Sequence, residues 1–207
     1  ITTAVKSMII RFFGKTSHAA EPEFGYNPAG VLAKPISVIE KLTVHDPVKE
    51  DFSLITPVHA LLGEKAYGVS AGYAELHLTL RAWNNDRMEH LVSDVTDLLE
   101  KQCRGSGITF DFEWTDVFEA NSNDPELVAE WYRLAAKNNQ EWQDLDLPFK
   151  WGEDFGYFTG RCKGVFFGLG AGEDCPALHN PDYDFPDELI EPGVVLFRMI
   201  IDATCGD

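Results

Sequence analysis

The sequence predicts a mixed α/β (α+β) chain in two parts. A ferredoxin-like β-α-β-β-α-β domain occupies residues 1–117, and a differently ordered segment occupies 118–207. Three observations carry this. Apolar periodicity alternates between two residues and about 3.6 residues in that order over the first part. The second part holds helices with one short apolar run, too little to close a sheet of its own. Charge also divides: residues 1–117 carry 11 basic and 16 acidic side chains, a net of −5, against 6 and 18 for 118–207, a net of −12.

Each element has its own signal. Val5–Phe13 is rich in β-formers and is stopped by Gly14. A loop of small residues follows, Lys15 to Tyr26. Asn27 and Pro28 then open a helix with apolar positions at Val31, Leu32, Ile36, Ile39 and Leu42, bent by the internal Pro35. Phe52–Leu62 and Tyr73–Trp83 are the second and third strands. In the third, Leu76, Leu78 and Leu80 share one face, with Glu75, His77 and Thr79 on the other. Asp86, with Glu89 three residues on, reads as the cap of a helix whose buried stripe is Met88, Leu91, Val92, Val95, Leu98 and Leu99. Gly105 and Gly107 end it, and Ile108–Trp114 is the fourth strand. Beyond lie a helix over Pro125–Gln140, a short apolar strand over Gly164–Leu169, an acidic loop, and a last helix from about Asp187 to Thr204.

Composition excludes several functions. With 17 basic against 34 acidic residues and a net charge of −17, the chain has no cationic surface for nucleic acid or for anionic membranes. No run approaches the roughly 18 apolar residues of a membrane span. Cys103, Cys162, Cys175 and Cys205 are widely spaced and read as reduced thiols rather than a metal or disulfide framework. No signal peptide is visible, and a cytoplasmic location is the expectation.

Two glycine motifs are set aside. Gly68-Val-Ser70-Ala-Gly72 matches G-x-S-x-G, but a strand follows Ser70 where a nucleophile elbow needs a helix. Gly168-Leu-Gly170-Ala-Gly172 lacks the helix N-terminus that a phosphate loop needs. Five other residues are candidates. His18 lies in a small-residue loop after a strand; it reads as a solvated loop histidine or as a hydrogen-bond donor to a substrate oxyanion. Arg81 ends the third strand, as a surface ion-pair partner or a carboxylate clamp. Glu153 and Asp154 are adjacent and do not form an acid/base pair by spacing alone. His179, among Asp174, Asp182, Asp184 and Asp187, is a structural or surface histidine by composition, and a metal ligand in the functional alternative.

Read together and in order, four segments resemble the M20 peptidase and amidohydrolase family, in its N-acyl-amino-acid amidohydrolase, hippurate hydrolase-like branch. They are Gly14-Lys-Thr-Ser-His18-Ala-Ala-Glu-Pro22 through Asn27-Pro28, the strand ending at Arg81, Gly152-Glu153-Asp154-Phe155, and Gly168 through His179-Asn-Pro-Asp. The resemblance implies that 1–117 is the lid or dimerisation domain and 118–207 the C-terminal segment of an α/β metal-binding catalytic domain. It implies a two-metal centre of zinc, manganese or cobalt with His179 as a ligand. It implies that His18 acts in trans on the substrate carbonyl in a homodimer, and that Arg81, Glu153 and Asp154 line the substrate site. The substrate would be a small N-acyl or conjugated amino acid. The sequence departs from the family in having no upstream Cys-x-His or His-x-Asp and no Glu-Glu pair, where the other ligands and the base would lie. The expectation is therefore an enzyme of this type whose present residues are inactive alone. The alternative is a naturally truncated, non-catalytic dimerisation or binding module. The F-N-x-I-P stretch of the family is replaced here by Tyr67-Gly-Val-Ser-Ala71.

Overall fold

A computed structural model describes residues 1–205, apart from the side chain of Cys205. The elements are β1 (Ala4–Phe13), β2 (Ser17–His18), α1 (Ala29–Val38), β3 (Ser53–Leu62), β4 (Val69–Ser70), β5 (Tyr73–Ala82), α2 (Asn85–Cys103), β6 (Thr109–Phe118), α3 (Pro125–Lys137), α4 (Gly156–Thr159) and α5 (Ile190–Cys205). They fall into two compact units. One comprises Ile1–Ser122 with Asp146–Arg161; the other comprises Asn123–Leu145 and the chain from Cys162 onward.

In the first unit the long strands form one antiparallel sheet in the order β3-β5-β1-β6, the β-α-β-β-α-β plan the sequence predicts. Alternation decides which face is buried. Along β5, Ala74, Leu76, Leu78, Leu80 and Ala82 are at most 1% exposed, while Tyr73 to Arg81 at odd positions are half-buried. The even face packs with Met8, Ile10 and Phe12 of β1 against the helices, which supply Val31, Leu32, Met88, Leu91, Val95 and Leu99. Each such side chain taken fully out of water contributes about 1.5–3 kcal/mol. Among the described residues, α1 and α2 both pack on the even face and leave the odd face without them. β3 is an edge strand, which accommodates Pro57, because a proline cannot donate to a second neighbour.

The sequence reading is corrected at four points. Asn84, not Asp86, caps α2: its side chain accepts from Arg87 N–H at 2.8 Å. α1 ends at Val38 and passes into a 3-10 turn over Ile39–Leu42, so the first helix is shorter than its apolar pattern. β6 runs on to Phe118, four residues beyond the predicted end. No strand forms over 164–169.

The second unit is held by aromatic contacts. α3 begins at Asp124, whose carboxylate accepts from the N–H groups of Glu126 and Leu127 at 3.0 Å. Trp131 stacks on Phe167 at 5.1 Å, and Phe167 meets Phe197 of α5 at 5.8 Å. The backbone of Phe166 finds partners in a side chain rather than a strand: its N–H donates to Asn123 Oδ1 at 2.8 Å, and its carbonyl accepts from Asn123 Nδ2 at 2.9 Å. α5 leaves Val194, Val195, Phe197 and Ile201 largely exposed. No helix among the described residues is long and apolar enough to cross a membrane.

Candidate functional site

The His18 loop is built by close backbone approaches. Gly14 N–H donates to Gly72 O at 2.8 Å, and Lys15 and Tyr26 exchange both backbone hydrogen bonds at 3.0 and 2.8 Å. A Cβ on Gly14 would lie 2.0 Å from Tyr26 O, so only glycine lets the strand end this way. β2 then pairs with β4, setting His18 opposite Val69 and Ser17 opposite Ser70. Asn27 fastens the far side. Its Oδ1 accepts from Ala29 N–H at 2.9 Å, and its Nδ2 donates to Ser70 Oγ at 2.9 Å. The G-x-S-x-G match is thus part of the support beneath His18.

His18 itself is exposed. Ala20 N–H donates to His18 Nδ1 at 3.1 Å. With Nδ1 accepting this bond, the ring proton of the neutral imidazole lies on Nε2. Nε2–H has no partner among the described residues and is presented as a donor.

Arg81 lies at the other end of the same sheet. Phe13, which leads into the His18 loop, pairs with Tyr73, whereas Val5 pairs with Arg81. Eight residue steps of strand separate the two ends, roughly 26 Å at about 3.3 Å per residue. Arg81 NH1 donates to Lys150 O at 2.8 Å, and partial burial lowers its pKa from the ordinary value. Thr3 fastens the same segment, with Oγ1 donating to Lys150 O at 3.0 Å and N–H donating to Trp151 O at 3.2 Å. Gly152 packs on Val5 and Phe118, and a Cβ on Gly156 would lie 2.2 Å from Glu119 O. Glu153, half-buried, and Asp154, exposed, are held in this stretch. The structure therefore brings Arg81, Glu153 and Asp154 to one end of the sheet, with His18 at the opposite end.

His179 belongs to the second unit. It is exposed, in the turn Ala177–Asn180, with φ of 70°, a left-handed conformation uncommon outside glycine. Among the described residues no three His, Cys, Asp or Glu side chains converge closely enough to hold a metal ion. A catalytic zinc takes about three protein ligands, a number the described residues do not bring together. Cys103 and Cys175 are free thiols, and burial pushes Cys103 up; the side chain of Cys205 lies outside the described residues.

The structure adds a group not assigned from sequence. On the open face of the sheet, Glu75 accepts from Tyr73 OH and pairs with His77 Nε2 at 3.1 Å, and the ring of His77 meets that of His59 at 4.9 Å. The alternation of β5 placed Glu75 and His77 on one face; the pairing with His59 required the register of β3.

Residues 11–203 match peptidase family M20/M25/M40. Among curated relatives, N-acetyldiaminopimelate deacetylase of Exiguobacterium sibiricum is 27% identical over 194 residues, covering 93% of this chain and 51% of that protein. The enzyme of the same name from Lacticaseibacillus casei is 25% identical over 193 residues, covering 89% and 48%. The chain thus spans about half the length of the curated relatives it matches. Among solved structures, a protein of methicillin-resistant Staphylococcus aureus superposes with a TM-score of 0.77 at 16% identity, covering 97% of this chain and 52% of that one. YxeP of Bacillus subtilis, described as a dinuclear-metal-binding peptidase of the M20 family, gives 0.70 at 17% identity, covering 97% and 49%.

Proposed function

The chain belongs to peptidase family M20/M25/M40, and from that premise we propose that it supplies the lid and the C-terminal catalytic segment of a metal-dependent amidohydrolase acting on N-acyl or conjugated amino acids. The match over residues 11–203 carries this reading, and the relatives named N-acetyldiaminopimelate deacetylase support it. In this proposal residues 1–117 are the lid and 118–207 the catalytic segment. His179 is one ligand of a two-metal centre of zinc, manganese or cobalt, whose remaining ligands and base come from outside these 207 residues. The chain alone is inactive, and the working enzyme is a cytoplasmic homodimer.

The metal supplies an activated water when bound. The chain's own residues position the substrate. His18 Nε2–H donates to the carbonyl oxygen of the scissile amide and holds the negative charge that develops there. Arg81, whose other N–H groups have no partner among the described residues, takes the substrate carboxylate. Glu153 and Asp154 stand at the same end of the sheet, beside the substrate. The placement of His18 and Arg81 at opposite ends of one sheet, with eight strand steps or roughly 26 Å of β1 between those ends, supports action in trans, since groups so placed do not close on one small substrate.

The test is hydrolysis of N-acetyl amino acids and hippurate, with added Zn²⁺, Mn²⁺ or Co²⁺, by the polypeptide that carries this sequence. His179→Ala is expected to abolish the metal-dependent activity. Full activity in that variant removes His179 from the metal centre.

A further inference from the structure

On the odd face of the sheet, four residues along β5 from Arg81, we infer that His59 and His77 form a two-imidazole clip for a divalent transition-metal ion, with Glu75 orienting His77.

Register creates the pair. β3 and β5 run antiparallel with Thr56 opposite Thr79 and Pro57 opposite Leu78, then the register shifts so that His59 faces His77. Val58 is the extra residue of this bulge. Without it a valine would stand opposite His77; bulges of this kind re-aim a side chain. The two rings lie with centroids 4.9 Å apart. An ion held by two imidazole nitrogens at about 2.1 Å in tetrahedral geometry places the ring centroids about 5 Å apart. The register therefore already brings the two rings within reach of one ion. The rings meet edge to face at 64°, so closing both nitrogens on one ion requires rotation of His59. That side chain is exposed and has no hydrogen bond among the described residues.

The second ring is prepared. His77 Nε2 lies 3.1 Å from Glu75 Oε2. Donation of Nε2–H to that carboxylate leaves the Nδ1 lone pair free, the arrangement in which metal-bound histidines are held by an outer carboxylate. Tyr73 OH in turn donates to the other oxygen of Glu75. The nearest cation by register, Arg11 opposite Glu75, is occupied by Glu113 at 2.5 Å and Asp111 at 3.9 Å. Two nitrogens, with water completing the shell, match borderline ions such as Zn²⁺, Ni²⁺ or Cu²⁺ rather than Mg²⁺ or Ca²⁺. An ion here ties the edge strand to its neighbour.

The experiment is calorimetric titration of the full chain with NiCl2 and with ZnCl2 near neutral pH, paired with thermal melts. One saturable ion per chain and a raised Tm are expected. His59→Gln and His77→Gln should each abolish that binding and the Tm increase, with metal-free melts close to wild type. Glu75→Gln should weaken binding by about tenfold, as loss of an orienting carboxylate does. His179→Ala should leave it unchanged. Absence of saturable binding, survival of binding in both glutamine variants, or its loss in His179→Ala would each overturn the clip.

Discussion

Gly14 stands where the chain folds back on itself, with Tyr26 O only 2.0 Å from the position a Cβ would take. The neighbouring atom is backbone, fixed by the paired bonds of Lys15 and Tyr26, so it cannot swing aside as a side-chain tip would. Gly14→Ala is therefore expected to destabilise the chain by about 1–3 kcal/mol, the range of forced overpacking, read as a fall in the urea midpoint. The strain falls on the strand end that carries His18. The Ala20–His18 hydrogen bond should loosen with it, and the imidazole NMR signals of His18 should shift even where the fold survives. Unchanged stability would mean that the Lys15–Tyr26 bridge is not held in solution. The candidate residues themselves were legible one at a time, because small neighbours, a strand end and a run of acidic residues are local signals. Their spatial relations were not. That Arg81 reaches Lys150 O, and that His18 rests on Ser70 through β4 and Asn27, depend on pairings between residues 43 to 69 positions apart.

Helix α2 shows how element boundaries are won. Asn84, Asn85 and Asp86 all have side chains able to cap, and Glu89 makes Asp86 look like half of a capping box. β5 ends at Ala82, and Asn84 then has extended backbone, φ −141° and ψ 167°, with its side chain on Arg87 N–H. Asp86 is left in the first turn, where its charge merely favours the helix dipole. Asn84→Ala is accordingly expected to cost about 1 kcal/mol, and Asp86→Ala about half that or less, measured by chemical denaturation. The reverse order would return the cap to Asp86. Strands β1 and β5 were legible because one face is buried and period-two alternation records it. The run Val165-Phe-Phe167 carries the same β-forming residues, yet a strand also needs a neighbour with free backbone groups. There the amide of Asn123 satisfies Phe166 and Trp131 covers Phe167, so the apolar run serves packing alone. Propensity reports which side chains seek burial; it does not report whether a partner strand exists.

At the scale of the whole molecule, the separation of His18 from Arg81 makes the proposed dimer a matter of function. Eight strand steps of β1 separate the sheet ends that carry the two groups, and a strand does not shorten. If one substrate is gripped by both, each active site takes Arg81 from one subunit and His18 from the other. This can be read by complementation in the polypeptide that carries these residues. His18→Ala and Arg81→Ala should each be nearly inactive alone. After subunits are mixed and exchanged, half the dimers carry one of each. Every such dimer has one site with both groups intact and one with neither. A two-fold arrangement therefore predicts recovery to about a quarter of the wild-type rate. If the two groups serve the same subunit's site, every site in every mixed dimer lacks one of them, and mixing restores nothing. Recovery near a quarter, absent when exchange is prevented, would place the substrate between two chains; no recovery after proven exchange would leave the sheet's two ends serving different tasks.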